Sequence, residues 1–426
     1  MITKDKWAEI IKDFHQKELP QTIEREIIIP LDIPIERAIS IIGPRRTGKT
    51  YEMYNLIKKI IKTEKKEQVI YINFEKVNVK DATDEDLIKM LETFYEIYPE
   101  NRKKKVWLFL DEIQNVINWE KFVRTSLDEN LKVYISGSSS KLLSKEIATS
   151  MRGRNITYAM YPFSFKEYLQ IKSINYPSYI SSAEKSEIKN ALADYINYGG
   201  YPEAVLFPSE KEKILSEILE TTIFKDVIER ENIRNIKAMR LLITGLINSK
   251  EFSVYKFYNF LKSNGIKIGK NVLYNYIEYL NDAFFVFMLK KFSFSYKELE
   301  QSIPKSFFID NGFLKVNGIN DKARLMENCI FVELKRKDSE IYYWKSALKE
   351  EIDFIIKKGN KIKQLIQVCY NIEDFNTKER ELKALIKGSK ELKCNNLLVI
   401  TDDKEGEEIF KQKKIKFIPL WKWLLA

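Results

Sequence analysis

Short apolar runs alternate with amphipathic segments over the first third of the chain. The runs are five or six residues long, a length that is typical of strands buried on both faces of a sheet. They lie at residues 38–42, 69–74, 106–110 and 131–135. Between the first two runs, apolar residues recur at helical spacing, at Met53, Leu56, Ile57, Ile60 and Ile61. Alternating strands and helices predict an α/β fold with a parallel, helix-covered sheet.

The first apolar run leads into a loop with the pattern Gly-x-x-x-x-Gly-Lys-Thr. Glycines let the backbone wrap closely around a phosphate, and N–H groups at the start of the next helix can donate to it. In such a loop Lys49 would reach the β- and γ-phosphates of ATP, and the Thr50 hydroxyl would ligate Mg²⁺. The residues predicted to bind nucleotide are Gly43, Pro44, Arg45, Arg46, Thr47, Gly48, Lys49, Thr50 and Tyr51. An ordinary glycine turn is the alternative, which the flanking strand and helix disfavour.

The third apolar run ends on two adjacent carboxylates, which is the Walker B pattern. A buried strand would not end on Asp111 and Glu112 without a use for them, because desolvating charge is costly. We expect Asp111 to hold Mg²⁺ and Glu112 to act as the general base on the attacking water. A solvated acidic turn is the alternative interpretation.

The fourth run ends in a serine-rich tip, residues 136–140, followed by two arginines. Ser136 or Ser138 could hydrogen-bond the γ-phosphate or the lytic water, although serines also cap helices. Arg152 and Arg154 follow this tip. Arg154 could contact the γ-phosphate of its own or of a neighbouring subunit, or could be an ordinary surface arginine.

The composition of the chain bears on its cellular compartment and on the kinds of site and partner it can have. The chain has 426 residues, a net charge of +11, three cysteines and a single histidine, His15. One histidine nearly excludes histidine-based metal sites, and three cysteines without a CxxC pair indicate a reduced, cytoplasmic protein. The first residues lack the apolar core of a signal peptide, and the run at residues 283–289 is too short to span a bilayer. The positive charge suits an anionic partner, but it is spread along the chain.

The middle of the chain is predominantly helical. Residues 165–219 suggest a helical lid interrupted by a Tyr-Gly-Gly-Tyr-Pro breaker that ends at Pro202. Residues 257–289 predict a helix, a turn, a second helix and a strand, an order that resembles a winged helix. Four lysines without acidic neighbours mark a possible DNA-reading surface: Lys256, Lys262, Lys267 and Lys270. A packing or switch module with a solvated face is the alternative.

Several motifs occur together in one order along the chain. They are the Gly-Pro-Arg-Arg-x-Gly-Lys-Thr loop, Leu-Asp-Glu-Ile-Gln, Ser-Gly-Ser-Ser-Ser, Gly-Arg before Tyr-Pro-Phe-Ser-Phe, and Gly-Gly-Tyr-Pro. Together they resemble AAA-type archaeal and bacterial ATPases with a C-terminal DUF4143 domain, relatives of the STAND signalling ATPases. The resemblance covers nearly the whole chain. Similarity to STAND proteins implies that Pro202 packs near the adenine, whereas a helix–helix turn is the plain alternative.

The last region again alternates strands and helices and resembles the PD-(D/E)xK restriction-endonuclease-like fold. In that fold carboxylates and a lysine gather Mg²⁺ at a scissile phosphate. Glu327 and Asp353 match the acidic positions, but Gln367 and Cys369 stand where the pattern has a glutamate and a lysine. The sequence therefore predicts a degenerate nuclease site. Residues that could partly substitute are Glu333, Lys345 and Lys349.

The sequence thus predicts a P-loop NTPase of the AAA+/STAND-like type that hydrolyses ATP with Mg²⁺ to switch its appended domains. The predicted domains are an ATPase core (1–172), a helical lid (173–225), a winged-helix-like domain (226–300) and a restriction-endonuclease-like domain (301–426). The alternatives are an ATP-dependent DNA-processing nuclease and a nucleotide-gated binding protein that does not hydrolyse ATP. ATP and ADP are the expected ligands, DNA is a possible partner, no membrane is expected, and an oligomer is possible.

Overall fold

The computed structural model describes residues 2–79, 81–129, 131–138, 151, 153–177 and 179–426. Over these residues the chain forms two compact units, residues 1–161 and 162–426. The four-domain division predicted from the sequence stays a prediction.

The first unit is a parallel α/β layer. Its helices are α1 (Lys4–Gln16), α2 (Lys49–Ile60), α3 (Asp84–Ile97) and α4 (Trp119–Asp128). Its strands are β1 (Ala38–Ile42), β2 (Val69–Asn73), β3 (Trp107–Asp111), β4 (Lys132–Gly137) and β5 (Asn155–Ala159). Short 3₁₀ turns lie at Lys66–Gln68, Val77–Val79, Pro99–Lys103 and Ile113–Asn115. The strand order is β2-β3-β4-β1-β5, and all pairs are parallel, which confirms the predicted α/β P-loop core.

The strands of this sheet form because both of their faces are buried. Every residue of β1 and of β3 is buried, as expected for parallel strands covered by helices. Met53, Leu56 and Ile57 of α2 pack into the same apolar core as Ile39 and Ile41 of β1. This packing fixes the start of α2 directly after the end of β1, which is where the phosphate loop lies.

Helix α1 buries Trp7, Ile11 and Phe14, and Phe14 lies in the same apolar core as Tyr71 of β2. His15, near its end, lies between two partners of this unit. Its Nε2 donates to the Val69 carbonyl at 2.8 Å, and its Nδ1 accepts from the Tyr98 hydroxyl at 3.0 Å. Burial lowers the pKa of His15. The neutral imidazole therefore bridges α1 to β2 and to the end of α3.

The second unit combines helices with two sheets. Its helices are α5 (Phe165–Ile171), α6 (Ser182–Tyr198), α7 (Pro202–Leu206), α8 (Lys211–Thr221), a π-helical segment (Thr222–Glu229), α9 (Ile236–Asn248), α10 (Val254–Ser263), α11 (Lys270–Asp282), α12 (Tyr296–Gln301), α13 (Asn311–Val316), α14 (Lys322–Arg336), α15 (Phe375–Glu391) and α16 (Leu420–Leu425). Within the described residues, no helix is long and apolar enough to cross a bilayer.

The strands of the second unit form an antiparallel pair and a mixed sheet. They are β6 (Val286–Leu289), β7 (Lys305–Phe308), β8 (Glu340–Lys345), β9 (Glu351–Lys358), β10 (Lys361–Cys369), β11 (Leu397–Thr401), β12 (Gly406–Phe410) and β13 (Lys413–Pro419). Strand β6 pairs with β7, and the larger sheet has the order β12-β13-β11-β10-β9-β8. The predicted helix, turn, helix and strand at residues 257–289 correspond to α10, α11 and β6.

Candidate nucleotide-binding site

The phosphate loop lies between the end of β1 and the start of α2. Gly43 has a φ of +152° and Gly48 a φ of +94°, which are left-handed conformations that favour glycine. A Cβ at Gly43 would lie 2.1 Å from the Met160 carbonyl oxygen, so no other residue fits there. Arg25 braces the loop from outside, because its guanidinium donates to the carbonyls of Thr47 at 2.9 Å and Tyr161 at 2.8 Å. The loop is thus fixed in its curved form.

Lys49 is buried at the first position of α2, with its ammonium folded back over the loop. Its Nζ donates to the carbonyls of Gly43 and Pro44, each at 3.1 Å. The same Nζ lies 3.4 Å from Glu112 Oε1. The lysine of the phosphate loop and the second acidic residue of Walker B therefore face each other.

Asp111, at the end of β3, receives hydrogen bonds from neutral groups. Its Oδ2 accepts from the hydroxyl of Thr50 at 2.7 Å, the hydroxyl of Tyr71 at 2.8 Å and the amide of Asn73 at 2.9 Å. Its Oδ1 accepts from the Ser136 hydroxyl. Burial, with the nearby charge of Glu112, raises the pKa of Asp111 against the effect of these hydrogen bonds. A cation beside Asp111 would stabilise its ionised form against burial and against the charge of Glu112.

Thr50 at the start of α2 and Asp111 at the end of β3 offer two hard oxygen atoms 2.7 Å apart. Carboxylate and hydroxyl oxygens are ligands that Mg²⁺ prefers, and Mg²⁺ usually takes only one or two from the protein. The donor set therefore fits Mg²⁺.

Glu112 is buried and held in a left-handed backbone conformation, with a φ of +55°. Its N–H donates to Ser136 Oγ at 2.9 Å, and its Oε2 accepts from the Gln114 amide at 2.5 Å. Burial alone would raise the pKa of Glu112, but the charge of Lys49, the Gln114 hydrogen bond and the charge of Arg45 outweigh it and lower the pKa. Glu112 is thus ionised at neutral pH, as a proton acceptor must be.

The two candidate sensor serines are both buried at the end of β4, the strand between β1 and β3. Ser136 contacts both Walker B residues, Asp111 and Glu112. Its hydroxyl donates to the Asp111 carboxylate and accepts from the Glu112 backbone N–H, so it orients Asp111 and fixes the backbone at Glu112. A contact between Ser136 or Ser138 and a phosphate stays a prediction. Ser139, Ser140 and Arg152 lie outside the described residues.

Arg154 lies at the opposite end of the sheet from the phosphate loop. Its carbonyl accepts from the N–H of Ala38, the first residue of β1, at 3.0 Å. The five residues of β1 separate this point from the loop, about 16 Å at the usual rise of a strand. Its guanidinium pairs with Asp128 at the end of α4. The structure does not bring Arg154 to the phosphate loop of its own chain; a contact with a neighbouring chain's nucleotide stays a prediction.

Sequence reasoning missed the residues that surround Asp111 from β2. Tyr71 and Asn73 are two positions apart and so point to the same side of the strand, and Asn73 pairs directly with Asp111 in the sheet. Asn73 Oδ1 also accepts from the N–H of Glu75, whose carboxylate lies 2.7 Å from Arg45 of the phosphate loop. Two polar residues at alternate positions at the end of an apolar run were the signal in the sequence.

Pro202 begins α7 in the second unit. The Gly-Gly pair before it packs tightly, since a Cβ at Gly200 would lie 2.2 Å from the Phe163 carbonyl oxygen. The N–H of Gly200 donates to Asp310 Oδ2 at 2.7 Å, and the N–H of Gly312 donates to Oδ1 at 2.7 Å. Burial raises the pKa of Asp310 to about 7. The contact of Pro202 with adenine stays a prediction.

Glu327, Asp353 and Gln367, the residues of the predicted degenerate nuclease site, line one cleft of about 800 Å³ in the second unit. A buried lysine that sequence reasoning missed, Lys305, lies between the two carboxylates. Burial raises the pKa of Asp353 to about 7, against the charge of Lys305.

Three residues were suggested as partial substitutes in the nuclease-like site, and they lie in different places. Glu333 pairs with Arg336 at 3.1 Å, away from this set. Lys345 pairs with Glu251 and with Glu351, the latter at 3.1 Å, and Lys349 lines the cleft. Lys349 thus reaches the cleft, but the lysine that contacts Glu327 and Asp353 is Lys305 of β7, which was not predicted.

Comparisons with known proteins agree with this organisation. Residues 36–169 match the model of an AAA domain, residues 189–323 that of a domain of unknown function (DUF8612), and residues 322–423 that of another (DUF4143). A solved structure, the ORC2 protein of Aeropyrum pernix in its ADP form, is 12% identical over 66% of this chain and 85% of that one. Its TM-score is 0.30.

Two relatives match most of the chain. The uncharacterized protein MJ1544 of Methanocaldococcus jannaschii is 40% identical over 421 residues, 95% of this chain and 92% of the relative. An uncharacterized protein of Haemophilus influenzae is 31% identical over 327 residues, 74% of this chain and 77% of the relative. Since the first of these matches covers 95% of the chain, and with it both the AAA and the DUF4143 regions, the chain belongs to the family of AAA-type ATPases with a C-terminal DUF4143 domain.

Proposed function

We propose that this protein binds ATP with Mg²⁺ and hydrolyses it. The observation that carries the proposal is the convergence of Lys49, Thr50, Asp111 and Glu112 at the carboxyl ends of β1 and β3. Ligands of open parallel sheets bind at this edge, where strand ends and helix starts meet. The fold alone would fit any P-loop protein, whereas an ionised Glu112 beside Lys49 favours hydrolysis.

Each residue has a separate task in the proposed reaction. The N–H groups at the start of α2 and the Lys49 ammonium bind the phosphates. Thr50 and Asp111 would hold Mg²⁺, which would supply positive charge to the phosphates. Lys49 now contacts two loop carbonyls and Glu112. When a phosphate takes the place of these carbonyls, the Lys49 ammonium interacts less strongly with Glu112. Its carboxylate is then able to accept the proton of the attacking water.

The test of hydrolysis is the Glu112→Gln variant. It keeps the shape of the side chain and removes the proton acceptor, so turnover should fall by about 10²-fold or more while ATP still binds. Glu100→Gln, at an exposed glutamate of the same unit, is the matched control and should keep full turnover. Unchanged turnover in Glu112→Gln would remove this residue from the mechanism. A wild type that binds ATP without turning it over would favour the nucleotide-gated alternative.

The test of nucleotide binding is the Lys49→Ala variant. A hydrogen bond to a charged group is worth about 1.5–3 kcal/mol, so affinity for ATP should fall by about 10- to 10²-fold. Lys62→Ala removes an exposed lysine just beyond α2 and should leave the affinity unchanged. Titration with a fluorescent ATP analogue measures both. Equal affinities would place the phosphates elsewhere.

We further propose that nucleotide binding switches the region that follows the core. The supporting observation is that residues matching DUF8612 and DUF4143 follow the AAA match on the same chain. Tryptic digestion of Glu112→Gln with and without ATP is the experiment. Cleavage sites within residues 162–426 should change with ATP, and an identical pattern in Lys49→Ala with and without ATP is the control. A pattern that ATP never alters would contradict switching.

Duplex DNA binding is a second candidate function, favoured by the surface of α10 and α11. Lys256, Lys262, Lys267 and Lys270 are all exposed, and Lys270 Nζ lies 4.4 Å from the ring centroid of Tyr255. Strands β6 and β7 pair antiparallel after these helices, as the wing of a winged helix would. Exposed cations beside an aromatic ring suit a phosphate backbone.

Salt dependence tests this candidate. Binding to duplex DNA should weaken steeply with salt, because each phosphate contact releases counterions. Lys267→Ala with Lys270→Ala should reduce the slope of log affinity against log salt by about 2. Lys62→Ala with Lys65→Ala, on the first unit, is the charge-matched control. Absence of binding at low salt would leave this surface as a packing or signalling module.

A contact of Arg154 with the nucleotide of a neighbouring chain requires an oligomer. Sedimentation of Glu112→Gln with ATP tests for one. If an oligomer forms, Arg154→Ala should lower turnover without changing ATP affinity, and a monomer under these conditions would exclude this role.

A further inference from the structure

Lys305 is a buried lysine surrounded by carboxylates in the second unit. Its side chain is 4% exposed, and its Nζ lies 2.6 Å from Glu351 Oε1, 2.9 Å from Glu327 Oε1 and 3.3 Å from Asp353 Oδ1. Burial alone would lower the pKa of Lys305, but these three carboxylates raise it well above its usual value. We call this set the Lys305 cluster; its members are Lys305, Glu327, Glu351 and Asp353.

The Lys305 cluster lies where the nuclease-like fold that this region resembles needs a divalent cation. Glu327 of α14 and Asp353 of β9 hold the two acidic positions and line the large cleft. Gln367, where that pattern has a glutamate, is turned to another partner, because its amide donates to Glu381 Oε2 at 2.5 Å. The two carboxylates that would bind the cation bind the Lys305 ammonium instead.

Further lysines balance the remaining charge. Lys250 Nζ lies 3.5 Å from Glu327 Oε2, and Lys345 Nζ lies 3.1 Å from Glu351 Oε2. The second oxygen of Asp353 accepts from the N–H of Val368 at 2.9 Å. Both oxygens of every carboxylate in the cluster thus have a partner.

We propose that the Lys305 ammonium takes the place of a divalent metal ion in this cleft. A metal ion and the ammonium cannot share the site, because two cations within contact distance of the same buried oxygens repel each other strongly. Mg²⁺ also needs oxygens at about 2.1 Å in octahedral order. Among the residues that the structure describes, no three acidic, histidine or cysteine side chains are arranged to hold one ion.

The ammonium also joins two regions of the chain. Lys305 belongs to the part that matches DUF8612, whereas the three carboxylates belong to the part that matches DUF4143. A cation supplied from β7 therefore ties β7 to α14 and β9 permanently, which a dissociable metal ion would not do. The cleft keeps the acidic residues but uses them to hold this junction together.

Manganese binding tests the proposal on the full chain without nucleotide. All proteins carry Asp111→Asn to remove the magnesium position of the first unit, and bound Mn²⁺ is counted by electron paramagnetic resonance. Lys305→Ala should bind one Mn²⁺ per chain in the cleft, at least tenfold more tightly than any binding that the parent shows there. Adding Asp353→Asn to Lys305→Ala should abolish that binding. Lys349→Ala, which removes a lysine from the same cleft outside the cluster, should behave like the parent.

Thermal unfolding gives a second readout. Lys305→Ala should unfold at a lower temperature than the parent, and Mn²⁺ should raise the transition of this variant but not that of Lys305→Ala with Asp353→Asn. Lys305→Met replaces Lys305→Ala if the smaller side chain prevents folding.

Two results would overturn the proposal. One is that the parent, with Lys305 in place, binds one Mn²⁺ per chain and that Asp353→Asn abolishes this binding. This result can be obtained without any Lys305 variant. The other is a folded Lys305 variant that binds no Mn²⁺ and gains no thermal stability from it.

Discussion

Lys49 in the first unit and Lys305 in the second are both buried lysines beside carboxylates, yet their surroundings differ. Lys49 contacts one carboxylate at 3.4 Å and two backbone carbonyls, and Asp111 beside it is held by hydroxyl and amide groups. Lys305 contacts three carboxylates directly. Neutral donors leave the charge of a carboxylate uncompensated, whereas an ammonium cancels it. The arrangement around Lys49 and Asp111 can accept a metal ion and an anionic ligand. In the arrangement around Lys305, the charges of the carboxylates are already compensated.

The largest expected effect is on the free energy of unfolding, which substitution of Lys305 should lower more than substitution of Lys49. Lys305→Met leaves the buried carboxylates of Glu327 and Asp353 and the half-buried carboxylate of Glu351 without their common cation. Removing one partner of a buried ion pair costs about 3–5 kcal/mol. Lys49→Met should cost less than half as much, since Glu112 keeps its hydrogen bond from Gln114. Urea unfolding of the nucleotide-free protein, followed by circular dichroism, measures both free energies.

Lys349→Met is the control for that comparison, because Lys349 is exposed and lies outside the Lys305 cluster. Its unfolding free energy should match the wild type. Equal losses at positions 49 and 305 would show that the number of carboxylates around the lysine does not matter, and would end the contrast between the two sites.

A smaller effect should appear in the pH dependence of stability. Asp310 is held by neutral N–H groups, as Asp111 is by neutral donors, and its folded pKa of about 7 lies above that of an unfolded aspartate. The folded state therefore holds the extra proton, and this contribution to stability is lost as pH rises from about 4 to 7. The slope is at most about 1.4 kcal/mol per pH unit for one proton.

Asp310→Asn removes this titration and should flatten the decline between pH 5 and pH 7. Asp353, whose pKa is also about 7, remains in that variant, so part of the slope should stay. Urea unfolding at pH 5, 6 and 7 provides the comparison. A slope identical to the wild type would mean that Asp310 is ionised throughout the range.

The smallest effect is expected at Tyr71, one of the neutral donors to Asp111. Tyr71→Phe keeps the ring and removes one hydrogen bond worth about 0.5–1.5 kcal/mol, so the Mg²⁺ concentration for half-maximal ATP turnover should rise about 2- to 10-fold. Tyr95→Phe, on α3, is the control. Loss of turnover at saturating Mg²⁺ would assign Tyr71 a larger role than orienting Asp111.

The sequence predicted the first four strands because each is buried on both faces and so appears as a continuous apolar run. It did not predict β5, whose residues are only half-buried, or β12, which is mostly polar and exposed. Such edge strands carry little hydrophobic signal, since their pairing depends on a neighbour that is distant in the sequence.

The candidate sites divide in the same way. The phosphate loop and the Asp-Glu pair are contiguous motifs, so their residues could be named from the sequence. Lys305 lies 22 residues before Glu327 and 48 before Asp353, and only the packing of β7 beside α14 and β9 brings it to them. Its position therefore follows from tertiary structure, which no local pattern records.

The single imidazole of the chain offers a spectroscopic consequence. Because His15 is the only histidine among 426 residues, its ring protons give resonances that need no assignment by mutation. The ring touches α1, β2 and the end of α3 at once through Val69 and Tyr98. The chemical shifts of the His15 ring protons therefore report whether α1 stays packed against β2 when nucleotide, salt or a neighbouring chain is added.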